Sequence, residues 1–135
     1  MLQLHIDEIA QKTTISAEKV EITIGAMFDF LQKQGSETNV AKLFEMIPEA
    51  SQFAQKYPID NDVGGLKGFM AGLMDKEDGM MDALALAEML EGEGVTQNQI
   101  RIIGEQLLLS LRPIVGDELI DDLIDDIPVL KKILA

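Results

Sequence analysis

Residues 15–48 read ISAEKVEITIGAMFDFLQKQGSETNVAKLFEMIP, and residues 95–128 read VTQNQIRIIGEQLLLSLRPIVGDELIDDLIDDIP. Laid over each other at one constant offset, position 15 on position 95, the two stretches align without a gap. Ile15 meets Val95, Ser16 meets Thr96, Val20 meets Ile100 and Met27 meets Leu107. Leu31 meets Leu111, Leu43 meets Leu123, and Ile47-Pro48 meets Ile127-Pro128. Upstream, Leu4, Ile6 and Ile9 fall on Leu84, Leu86 and Met89. Identical pairs are few, and Asp29 falls on Leu109 and Asn39 on Leu119. Apolar class, cap position and the Ile-Pro punctuation nonetheless agree. The expectation is an internal duplication: similar halves 1–56 and 81–135, joined by residues 57–80, within one domain.

Each half reads as helix, turn, long helix, turn, short helix. Ser16 is a natural N-cap, because its hydroxyl can accept from an orphan N–H of the following turn. Val20, Ile24, Met27, Phe28 and Leu31 then form a stripe at helical spacing. Gly35 suits a C-cap, and the next amphipathic helix stops before Pro48. In the second half Thr96 caps a helix bearing Ile100, Ile103, Leu107 and Leu111, expected to end at Pro113. No run of strict alternation competes with these patterns. The fold class expected is all-α, a compact bundle of about seven or eight helices.

A Val or Ile, then Ser or Thr, a long amphipathic helix, a Gly turn and a short helix ending Ile-Pro form a motif carried by residues 94–134 and 15–48. It resembles small bacterial all-helical families of unknown function. That resemblance implies a helical fold and brings no catalytic residues to carry over.

Composition removes many functions. The chain has 135 residues, 11 Lys plus Arg, 24 Asp plus Glu, a net charge of -13, no Cys and one His. Thiol chemistry and Cys-based zinc sites are excluded. A Ser-His-Asp triad would have to use His5, near a terminus expected to fray. So strong a negative charge argues against phosphate-dominated nucleic-acid binding and against anionic lipid. No signal peptide is read at the start. Nor does any stretch reach the roughly 18 apolar residues of a membrane span. A cytoplasmic protein is the expectation.

The segment between the halves carries Leu66, Phe69, Met70, Leu73 and Met74 on one helical face, with Gly64, Gly68 and Gly72 on another. Its apolar residues suit either core between the halves or an exposed face for a partner. Leu66, Phe69, Met70, Leu73, Gly64, Gly68 and Gly72 are therefore the candidate interaction residues. The acidic run 117–126, DELIDDLIDD, reads as an amphipathic helix with a solvated carboxylate face; a weak cation site or a dock for a basic partner are its alternatives. Calcium-loop spacing fails from Asp60 and from Asp75, one His cannot build a di-metal bundle, and GGLKG lacks phosphate-loop spacing. No catalytic residue, metal or cofactor is expected. The reading is a non-enzymatic interaction or self-association module, with a homodimer or another protein as partner. The alternative is a carrier holding a small apolar ligand between Met27, Phe28, Phe69, Met70 and Leu107.

Overall fold

The computed structural model describes residues 2–57 and 80–127. Among these residues the chain is all-helical: α1 Leu2–Thr13, α2 Ala17–Gln34, α3 Glu37–Met46, α4 Pro48–Lys56, α5 Met80–Gly92, α6 Gln97–Val115 and α7 Asp117–Asp126. None of these helices is long and apolar enough to cross a membrane.

The local chemistry accounts for the helix boundaries. Ser16 and Ser36 accept from the backbone N–H of Lys19 and Asn39, closing the first turns of α2 and α3. Thr96 forms a full capping box: its hydroxyl accepts from Gln99 N–H at 3.2 Å, and its own N–H donates to Gln99 Oε1 at 3.0 Å. Two orphan donors are satisfied at once. Thr96→Ala is expected to lower stability by about 1 kcal/mol, read from the urea midpoint at constant slope.

Two boundaries differ from the sequence expectation. The helix α6 passes through exposed Pro113 to Val115, because Gly116 N–H closes on Arg112 carbonyl oxygen and Val115 is buried. Proline removes a donor, but this late in a helix the tertiary anchor outweighs that loss. Residues 48–56 form a helix of their own, with Pro48 in the first turn, where its missing N–H has no partner to lose.

Helices α2 and α6 run through the centre and pack on each other. Helix α1 packs on both of them, and so does α5. Helix α7 lies against α6 and α3, and α4 lies along α2 while touching α3. Ile6, Ile9, Ile24, Phe28, Leu43, Leu90, Ile103, Leu107, Leu111 and Ile120 are fully buried in one shared core. Each such side chain contributes about 1.5–3 kcal/mol relative to exposure.

Helix α2 is buried well beyond its expected stripe. Ile22, Thr23, Ala26, Asp29 and Phe30 are buried as well, because α1, α4, α5 and α6 surround it. The polar groups are satisfied: Thr23 Oγ1 donates to Lys19 carbonyl oxygen at 2.7 Å, and Asp29 meets Lys33 at 2.9 Å. Helix α6 instead buries one face, Ile100, Ile103, Gly104, Leu107, Leu111 and Val115.

Candidate functional site

Helices α3 and α7 lie side by side, with the C-terminus of α7 at the N-terminus of α3. There the Asp126 carboxylate accepts from the Asn39 side-chain amide at 2.8 Å and from Ser36 N–H at 3.4 Å. A carboxylate at a helix N-terminus also meets the positive end of the helix dipole. The Asn39 amide chiefly, aided by Ser36, holds the Asp126 carboxyl below its usual value. A lowered folded-state pKa favours the fold above the unfolded value, about 3.9 for Asp. That contribution is lost as pH falls from there through the lowered folded value. Asp126→Asn should therefore melt below wild type at about pH 6, and the gap should narrow as pH falls below about 3.9. A gap that stays constant across that range would count against the clasp.

The other end of the same helix pair is built differently. Lys42, Glu45 and Met46 of α3 face Glu118, Leu119 and Asp122 of α7, with Val115 from the end of α6. Together they line an open groove of about 440 Å³. Val115 and Leu119 are buried, whereas Met46 is 52% exposed. The rim carries three carboxylates, Glu45, Glu118 and Asp122, against one ammonium, Lys42. In the register that pairs the halves, Met46 of α3 corresponds to Asp126 of α7, and Leu119 corresponds to Asn39. One end of the pair is clasped by polar groups, and the other is apolar and open. An apolar floor with an acidic rim can hold a side chain non-covalently.

Several charged residues elsewhere are paired across the fold. Arg112 reaches Asp117 at 3.3 Å and Asp121 at 3.1 Å, and both carboxylates raise its pKa. The i, i+4 repulsion along α7 is thus offset by a cation from α6, which the acidic run itself does not announce. Tyr57 donates to Glu21 at 2.6 Å, with Lys56 at 3.6 Å from the same carboxylate. The hydrogen bond to Glu21, then burial, push the Tyr57 phenol up, so it stays a donor. His5 Nδ1 is buried without a hydrogen-bond partner. Among the described residues no group of three or more His, Asp or Glu is arranged to hold a metal ion.

The seven candidate interaction residues, Gly64, Leu66, Gly68, Phe69, Met70, Gly72 and Leu73, lie outside the described residues. Of the residues named for an apolar-ligand pocket, Phe28 and Leu107 are core side chains and Met27 is partly buried against that core. Phe69 and Met70 lie outside the described residues. The groove at Met46 was not singled out from the sequence. Its one signal in the sequence comes from comparing the halves: a methionine stands at a helix end where the counterpart is Asp126. No family model, curated protein or solved structure matches the chain.

Proposed function

We propose that this chain is a non-enzymatic protein-interaction module, built of two equivalent halves, that binds a partner segment in the α3–α7 groove. The observation that carries the reading is the exposed Met46 over buried Leu119 and Val115, at the helix-pair end that lacks a polar clasp. Equivalence of the halves is supported by α3 and α7, Glu37–Met46 and Asp117–Asp126, whose two ends both fall on each other in the pairing register. It is supported too by α1 and α5, each packing on both long helices.

Charge selects the partner class. The rim is acidic and the chain carries -13 overall, so a second copy meets repulsion while a basic segment with one apolar anchor meets complementary charge. The test is a methyl NMR titration with a synthetic amphipathic peptide of Leu and Lys. Saturable shifts are expected at Met46, Val115 and Leu119, weakening as salt is raised. Met46→Asp, which places at this end the residue found at position 126, should weaken binding by about tenfold, about 1.4 kcal/mol. Unsaturable shifts spread over every acidic face, or unchanged affinity for Met46→Asp, would overturn the proposal.

A further inference from the structure

Sulfur enters this chain only as methionine: it has eight Met and no Cys. Thioethers are therefore its only sulfur nucleophiles, and how readily a side chain oxidises follows its access to the oxidant. Access separates the methionines among the described residues. Met27 and Met89 are partly buried against the core, whereas Met46 is 52% exposed. Met46 also stands outside that core. It is the last residue of α3, and the helix end is fixed by its neighbour Ile47, which is buried and whose N–H closes on Leu43 carbonyl oxygen. A change at the Met46 sulfur thus leaves the helix end and the packing beneath it in place. What it alters is the groove, where the thioether joins Val115 and Leu119 as apolar lining.

The surroundings decide what oxidation does there. A hydroperoxide such as hydrogen peroxide transfers one oxygen atom to sulfur. The sulfur lone pair attacks that oxygen, the S–O bond forms as the O–O bond breaks, and the oxygen's proton passes to the departing hydroxide. Sulfur loses two electrons and the peroxide gains them, leaving methionine sulfoxide and water. The new oxygen is a hydrogen-bond acceptor on what was an apolar side chain. At the matching position of the other half, Asp126, an acceptor is provided for, because the Asn39 amide donates to it at 2.8 Å. The residue matching Asn39 is Leu119, whose side chain has no donor. Around Met46, the side chains of Glu45, Glu118 and Asp122 add acceptors, and Lys42 is the one side-chain cation in the lining. Resting on Leu119 and Val115, a sulfoxide oxygen meets carbon on one side and carboxylates on the other. An apolar anchor then no longer finds a continuous floor.

We propose that Met46 is an oxidation site, and that its conversion to the sulfoxide by a hydroperoxide switches off partner binding in the α3–α7 groove. The switch rests on the reading of that groove as the binding site, and the experiment separates the two. The full chain is treated with limiting hydrogen peroxide, quenched, and followed by peptide mass spectrometry at Met27, Met46 and Met89. The titration with the Leu and Lys peptide is then repeated. Met46 is expected to oxidise about tenfold faster than Met27 or Met89. Its oxidation is expected to weaken peptide binding by about tenfold, with the urea midpoint unchanged. Met46→Leu keeps an apolar residue that peroxide does not touch, so this variant should hold its affinity after the same treatment. Methionine sulfoxide reductases supplied with a thiol should restore binding to the oxidised wild type. Equal oxidation rates at the three methionines would overturn the assignment of the site. Full affinity in protein oxidised at Met46, or an equal loss in treated Met46→Leu, would overturn the switch and leave the groove reading standing. Failure of the untreated protein to bind the peptide would sink the groove reading and the switch together, whatever the oxidation rates.

Discussion

Phe28→Ala is expected to destabilise the fold by about 3–5 kcal/mol, the range for truncating a fully enclosed aromatic. The ring is fully buried and meets Phe44 edge-on, with centroids 6.3 Å apart and planes at 83°. Such a contact adds about 0.5–1.5 kcal/mol beyond the buried area. Helix α2 is enclosed on several sides, so the cavity has little room to collapse. Leu108→Ala, at the matching site of α6, should cost less because Leu108 is smaller and only partly buried. Urea unfolding of both variants gives the comparison directly. Equal losses at the two sites would mean that α2 is not the more enclosed helix.

Gly25→Ala sets two effects against each other. In a helix interior the change gains about 1 kcal/mol of intrinsic propensity. Against it stand the Tyr57 ring and the Phe53 carbonyl oxygen, at 2.5 and 2.8 Å from the new Cβ. The ring can turn, but the carbonyl belongs to the backbone of α4. Overpacking of this kind costs about 1–3 kcal/mol, and displacing α4 also strains the Tyr57–Glu21 hydrogen bond. The clash is expected to win, leaving a net loss of about 1–2 kcal/mol. In a Tyr57→Ala background the loss should shrink, because the nearer obstacle is gone. A stabilised Gly25→Ala would show that α4 does not approach α2 this closely.

Much of the helical layout was readable residue by residue. Ser16 and Thr96 act as caps because capping depends on atoms within one turn of chain. Val20, Ile24, Phe28 and Leu31 of the expected stripe and Leu119, Ile120 and Leu123 are buried, with Met27 and Ile124 partly so, because an amphipathic period reports where water is excluded. The signal failed where helices meet. Asp29 lies outside the expected apolar stripe and is buried all the same, because α2 is packed on several sides. Gly35 reads as a conformational C-cap; it caps α2 with a negative φ, and its absent side chain matters because a Cβ would lie 2.7 Å from Val40.

The candidate site shows the same division. Asp126 belongs to an acidic run that reads as a solvated carboxylate face, yet it serves as the acceptor for Asn39 and Ser36 from the far half of the chain. Met46 is one apolar residue at the end of a short helix, and nothing local distinguishes it from core. By itself the sequence determined the all-helical class, the caps, the buried stripes and the overall negative charge. These follow from short-range hydrogen bonding, from the helical period and from counting. Only the tertiary structure decided which helix is enclosed, which end of the α3–α7 pair is clasped and which is left open. Those outcomes depend on contacts between residues far apart in the chain, and no local pattern encodes them.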